Sequence, residues 1–309
     1  MAAPCFAGPP QLEFPLDCVL GETCFIDDYV DADPGEGQRD YSCGVKTRDG
    51  HRGTDFVLPR FDDMARGVDV LAAAPGRVDA LRDGMADAAV TPDTRADIEG
   101  RECGNAVRVD HGDGWQTLYC HMRNGSITVD QGQVVKAGEP LGQVGLSGLS
   151  NVPHLHLTVL KDGNVTDPFR PKAGGCDIDP GNGMWRDAPD YDAAGLYTAG
   201  FATAVPDFDA VASGSARVQI TTPDTPLVLY GFVHQARNGD RLGLSASGPE
   251  GEIFNETVVL KTPENRLYRA FGRKRPAGGW PEGAYRGYVT LSRDGRIIAV
   301  RHADIEVRR

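Results

Sequence analysis

The chain has 309 residues, a formal net charge of −12 at neutral pH and a pI near 5.0, which excludes the basic footprint that nucleic acid or an anionic membrane surface asks of a main partner. Apolar residues at 40% and charged residues at 25% are globular proportions and exclude disorder, and no apolar run approaches the ~18 residues of a membrane span. The 39 glycines and 21 prolines, against 7% aromatics, favour turns and short strands over long helices; the length allows two cores at ~100–200 residues each.

Residues 1–43 are loop-rich. The opening MAAPCFAGPPQ has neither the basic nor the apolar region of a signal peptide. Seven cysteines (Cys5, Cys18, Cys24, Cys43, Cys103, Cys120 and Cys176) form no C-x-x-C, which argues against a thiolate zinc ribbon or a thioredoxin-type motif. That many cysteines in a Gly- and Pro-rich acidic chain point to an oxidising compartment. The expectation is an exported protein, periplasmic or secreted, whose signal has been removed. Cys18 and Cys24 bracket a short loop and can pair; buried reduced thiols are the alternative. The odd count leaves one thiol over, most simply Cys5.

Residues 51–170 carry short alternating segments between glycine turns, such as NAVRVDH, WQTLYCHM and HLHLTVL. Period-two alternation with this punctuation reads as an antiparallel β-domain, placed at 44–175. A hairpin turn centred on Gly112-Asp113 pairs Asn105 with Cys120 and brings Cys103 within about two residues of Cys120's partner, close enough for a disulfide. Residues 176–204 read as a packed linker rich in Gly, Pro and Asp. From 205 to 309 the charge balance is +3, against −15 for 1–204, and short strands (LVLYGFVH, RLGLSASG, GAYRGYVTLS, IIAVRHADIEV) suggest a β-sandwich.

Four histidines concentrate in three places: His51-Arg52-Gly53-Thr54-Asp55, Tyr119-Cys120-His121 and His154-Leu155-His156. On a strand His154 and His156 project to one face, and His51 and Asp55 can reach one site from a strand and its preceding loop. Two imidazoles and a carboxylate hold a divalent metal and leave a fourth position for water, the catalytic arrangement. Five candidates are too many for one tetrahedral ion with an open position, so two histidines are left to handle protons or stabilise an oxyanion.

This order of motifs resembles the M23 (LytM/lysostaphin-type) zinc metallopeptidases. The intervening text agrees: Pro-Gly-Arg-Val at 75–78, Gly-Asn-Ala-Val-Arg-Val-Asp-His-Gly at 104–112, Gly-Gln-Val-Val-Lys-Ala-Gly at 132–138 and Leu-Gly-Gln-Val-Gly at 141–145. The resemblance covers residues 44–170. It implies an all-β protein, an antiparallel LytM-like metallopeptidase domain here followed by the β-sandwich. It also implies one Zn2+ per chain bound by His51, Asp55 and His156, with His121 and His154 as non-ligand catalytic histidines. The implied function is endopeptidase cleavage of peptidoglycan crosslinks. All five positions are intact, whereas some relatives have lost ligands and act as regulators; a non-catalytic regulator of another cell-wall hydrolase is the alternative. The Asp-rich stretch 83–102 is longer than in minimal relatives and is expected to wall the substrate groove.

His111, in the hairpin, and His234 and His302, with no acidic or His partner at ligand spacing, read as structural. Arg273-Lys274-Arg275 reads as a solvated turn, and Trp280, Tyr285 and Tyr288 as sandwich core or edge. A wall polymer or a protein is the expected partner of the C-terminal domain.

Overall fold

The computed structural model describes residues 8–35, 37–44, 46–90, 94–150, 152–172, 183–191 and 194–309. It divides into two compact units, Met1–Tyr191 and Asp192–Arg309. Cys5 and Cys176 lie outside the described residues. No described helix is long and apolar enough to cross a membrane.

The described residues of the first unit contain strands β1 (Phe25–Asp28), β2 (Thr54–Val57), β3 (Asp69–Leu71), β4 (Gly76–Arg82), β5 (Asn105–Gly112), β6 (Trp115–Met122), β7 (Val134–Val135), β8 (Pro140–Gln143), β9 (His154–Lys161) and β10 (Asn164–Thr166), with a short α-helix, α1 (Phe61–Arg66), and a 3-10 turn at Arg95–Ile98. The main sheet runs β1-β2-β9-β6-β5-β4-β7, with β10 also on β9; β3 and β8 form a separate pair. All these pairings are antiparallel. The core takes Phe56, Val107, Val109, Tyr119, Leu155, Leu157 and Val159 from the central strands. It also takes Leu12, Leu16, Ile26, Tyr29 and Tyr41 from the N-terminal stretch. That stretch is therefore part of the unit's interior.

The β5–β6 hairpin turns one residue later than the sequence suggested. Gly112 faces Trp115, so Asp113-Gly114 forms the turn, both with positive φ (48° and 76°). Asp-Gly is the pair that tolerates this turn in a right-twisted hairpin. The register becomes Asn105 opposite Met122. The expected Cys103–Cys120 disulfide is present, with Cα atoms 4.8 Å apart, as is Cys18–Cys24. Cys43 is also disulfide-bonded. His111 lies on β5, buried, hydrogen-bonded at Nδ1 to the Pro75 carbonyl (2.7 Å) and at Nε2 to Thr117 Oγ1 (2.9 Å).

The second unit contains β11 (Gly195–Ala202), α2 (Phe208–Ser213), β12 (Ile220–Thr221), β13 (Leu227–Ala236), β14 (Arg241–Gly248), β15 (Gly251–Val259), β16 (Glu264–Arg273), β17 (Gly283–Arg293) and β18 (Arg296–Val307). They form a three-stranded sheet, β11-β13-β16, and a five-stranded sheet, β12-β18-β17-β14-β15. Leu196, Phe201, Leu229 and Val233 from the first share one core with Leu242, Val289, Leu291 and Ile305 from the second. The stretch read as linker, 176–204, contains β11. All eight residues of that strand are buried, so it shows no in–out alternation and its Gly and Ala content imitates a loop. Arg273 ends β16 rather than standing in a turn. Tyr285 is buried, with Trp280 edge-on at 6.2 Å, while Tyr288 is 40% exposed.

Candidate active site

The antiparallel register places Asp55 directly opposite His156 across β2 and β9, and His156 opposite Cys120 across β9 and β6. Directly opposed residues share a face of the sheet. His154 and His156 share it as well, two residues apart on one strand. His51 precedes β2, and its Nδ1 hydrogen-bonds the Tyr29 carbonyl at 2.6 Å. Gly53 lets this loop close on β9. A Cβ there would stand 2.6 Å from His156 Nε2 and 2.7 Å from the Leu157 carbonyl oxygen, so no larger residue fits. His121 has φ of +61°, a costly conformation for a non-glycine residue. It breaks the alternation after Cys120 and is held by the His121 N–H donating to the Cys103 carbonyl (2.8 Å).

All five residues singled out from the sequence meet. The donor atoms of His51, Asp55 and His156 lie within 4.8 Å of one another. Asp55 Oδ1 is 2.7 Å from His156 Nδ1, Asp55 Oδ2 is 3.1 Å from His51 Nε2, and the two imidazole nitrogens are 3.2 Å apart. The His121 and His154 ring centroids lie 4.5 Å apart with the planes tilted by 40°, and His154 Nε2 is 3.7 Å from Asp55 Oδ1. His121 Nδ1 hydrogen-bonds the Ser147 carbonyl (2.8 Å), and His154 Nδ1 the Val152 carbonyl (2.9 Å). A carbonyl accepts only, so in both rings the proton sits on Nδ1 and Nε2 is the basic nitrogen.

The electrostatics divide these groups. Burial alone would raise the Asp55 carboxyl; His51, His154 and His156 outweigh it and hold the group well below the usual carboxylate range. Burial would lower His51 too, yet contact with Asp55 leaves it raised. For His121, burial joined by His154 and His156 pushes the imidazole well below its ordinary value. His154 is also lowered by burial, which Asp55 only partly offsets. His121 and His154 are thus neutral at physiological pH.

Three supports escaped the sequence. Arg48 donates to Asp55 Oδ2 at 3.0 Å and also pairs with Asp28 of β1. Nothing in the spacing marked it, because Asp28 comes from another stretch of chain. Thr158 Oγ1 stands 3.1 Å from His156 Nε2, a partner legible as the next residue on the same strand face. Ser150 Oγ lies 3.1 Å from His154 Nδ1 and donates to the Val152 carbonyl.

Two imidazoles and one carboxylate, converging with His51 and Asp55 buried, His156 half-buried and the carboxylate ionised, fit a divalent metal of borderline softness. The outer bonds from Tyr29, Thr158 and Arg48 are the kind that orient such ligands.

Residues 49–168 match the model of Peptidase family M23. The chain is 44% identical over 68 residues to the cell division protein DipM of Caulobacter vibrioides, covering 22% of this chain and 11% of that protein. It is 28% identical over 120 residues to the peptidoglycan DD-endopeptidase ShyB of Vibrio cholerae, covering 39% and 22%. The chain thus spans less than a quarter of the length of either relative. Among solved structures it is similar to a zinc containing peptidase from Vibrio cholerae, at 22% identity and a TM-score of 0.30, covering 53% of this chain and 37% of that one.

Proposed function

We propose, from the match of residues 49–168 to peptidase family M23, that the chain is an exported zinc endopeptidase that cleaves peptide crosslinks of bacterial peptidoglycan. The observation that carries this reading is the convergence of His51, Asp55, His121, His154 and His156, from three separate stretches of sequence, with the metal-type donors within 4.8 Å. His51, Asp55 and His156 would hold one Zn2+. Such an ion supplies Lewis acidity toward the scissile carbonyl and a water acidic enough to react near neutral pH.

The remaining work falls to His121 and His154. Each is a neutral imidazole whose Nδ1 is tied to a carbonyl, so each offers Nε2 as a proton acceptor and neither donates there until protonated. One takes the proton of the attacking water at Nε2. The resulting imidazolium can then donate a hydrogen bond to the developing oxyanion or pass the proton to the leaving amine. The two rings, with centroids 4.5 Å apart, resist double protonation, since like charges that close repel.

The test is digestion of purified sacculi by the zinc-loaded chain, with and without chelator, read by mass spectrometry of released fragments. Chelator-sensitive loss of crosslinked dimers is expected. No new fragments from the zinc-loaded protein would favour the non-catalytic regulator of a wall hydrolase.

A further inference from the structure

The stretch between β4 and β5 is stitched to the loops around the site. Asp87 accepts the N–H groups of Asn124 (2.9 Å) and Leu146 (2.8 Å). The Asn105 side chain bonds both the N–H and the carbonyl of Met85 (2.8 Å each). Val90 N–H donates to the Ser150 carbonyl and Leu149 N–H to the Glu102 carbonyl. The same stretch lines an open surface pocket of about 460 Å³, within the ~300–1,000 Å³ of small-ligand sites. Met85, Val90 and Ile98 supply apolar lining, Arg82 and Arg101 supply cations, and Gly148 also lines it. The preceding residue, Ser147, carries the carbonyl that fixes His121.

Both guanidinium groups hydrogen-bond backbone carbonyls, and the Glu102 carboxylate lies within electrostatic reach of Arg82. Arg82 donates to the Gly104 carbonyl (2.6 Å) and, more weakly, to the Arg101 carbonyl (3.4 Å). Arg101 donates to the Asp97 carbonyl (2.6 Å). Among the described residues neither forms an ion pair. Each guanidinium has five N–H donors, so most of this capacity is uncommitted among the described residues. Asp83 and Asp97 also line the pocket, which makes it a poor seat for a doubly charged phosphate. Two guanidinium forks beside an apolar wall suit a single carboxylate on a short aliphatic stem.

We propose that this pocket is a subsite for a peptide arm ending in a free carboxylate, with Arg101 and Arg82 taking the carboxylate and Met85, Val90 and Ile98 the stem. The peptide character of the ligand rests on the proposed peptidase reading. The test is an NMR titration of the isotope-labelled, chelator-treated full chain with N-acetyl-Ala-Ala and with its C-terminal amide. The carboxylate form is expected to bind at least tenfold more tightly, with shifts centred on residues 82–90, 94–101 and 148. Arg101→Ala should abolish the preference and Arg101→Lys retain part of it. Equal affinity for the two peptides, an unchanged preference in Arg101→Ala, or shifts confined elsewhere would overturn the proposal. The assay needs neither metal nor turnover, so a negative sacculus digestion with a positive titration would sink the enzyme reading and leave the subsite.

Discussion

Two disulfides of the first unit are expected to matter differently. Cys103–Cys120 closes a loop of 17 residues and Cys18–Cys24 one of 6. The chain-entropy argument assigns about 3 kcal/mol to the first and about 2 kcal/mol to the second. The stability losses of the paired Cys→Ser variants should therefore differ by only ~1 kcal/mol. Their effect on the site should diverge far more. Cys120 immediately precedes His121, and the Cys103 carbonyl accepts the His121 N–H that maintains its positive φ. A displacement of about 1 Å at a reacting group costs ~100-fold in rate, so Cys103→Ser/Cys120→Ser should lose turnover on sacculi by about that factor. Cys18→Ser/Cys24→Ser should keep most of it. Stability is read by hydrogen exchange in strands β5, β6 and β9, and the His121 ring environment by imidazole NMR. Equal losses of turnover in both variants, with the His121 resonances unmoved, would refute the argument that the bond acts through His121.

Removing Asp55 as Asn should lower bound zinc from near one per chain to a small fraction, while His121→Ala should retain zinc and lose activity; metal analysis beside the digestion assay separates the two, and zinc loss in His121→Ala would contradict the division of roles. Asp167 offers a pH prediction away from the site. Burial pushes its carboxyl up to about 7, and its Oδ2 has no hydrogen-bond partner among the described residues. The folded state thus keeps a proton that the unfolded chain releases near pH 4. That stabilisation is complete below pH 4 and is lost as pH rises through about 7. Asp167→Asn should flatten the stability profile between pH 4 and 7 and raise stability at pH 8, measured by denaturant unfolding across pH.

Local pattern carried much of the site and the sheet. Histidines at i and i+2 on a strand, and His51 with Asp55 at the mouth of another, are statements about one face, and the register joins those faces. What stayed hidden depends on chain brought from elsewhere. Arg48 matters through Asp28, twenty residues earlier, and the carbonyls that set the His121 and His154 tautomers carry no side-chain signature. β11 was invisible because burial on both faces erases alternation. β16 was obscured by charges along a strand at the margin of its sheet, where they can stay in water. The hairpin was off by one residue because Gly112-Asp113 and Asp113-Gly114 are both turn pairs with positive φ at both positions, and only the pairing of Gly112 with Trp115 selects the latter.

The family match begins at residue 49, which invites trimming of what precedes it, to free the groove of a latent enzyme. The packing argues for the opposite outcome. Leu12, Leu16, Ile26 and Tyr29 are each no more than 3% exposed and belong to the same core as Phe56 and Tyr119. At ~1.5–3 kcal/mol for each buried side chain of this size, losing four of them costs on the order of 6–12 kcal/mol, comparable with the whole ~5–15 kcal/mol stability of a domain. The same deletion takes away the Tyr29 carbonyl that fixes His51 and the Asp28 carboxylate that pairs with Arg48. Removal of residues 1–43 should therefore unfold the first unit and abolish zinc binding, visible as lost exchange protection in β2 and β9. A truncated chain that keeps that protection, binds zinc and digests sacculi faster would mean that the N-terminal stretch is a cover rather than part of the core.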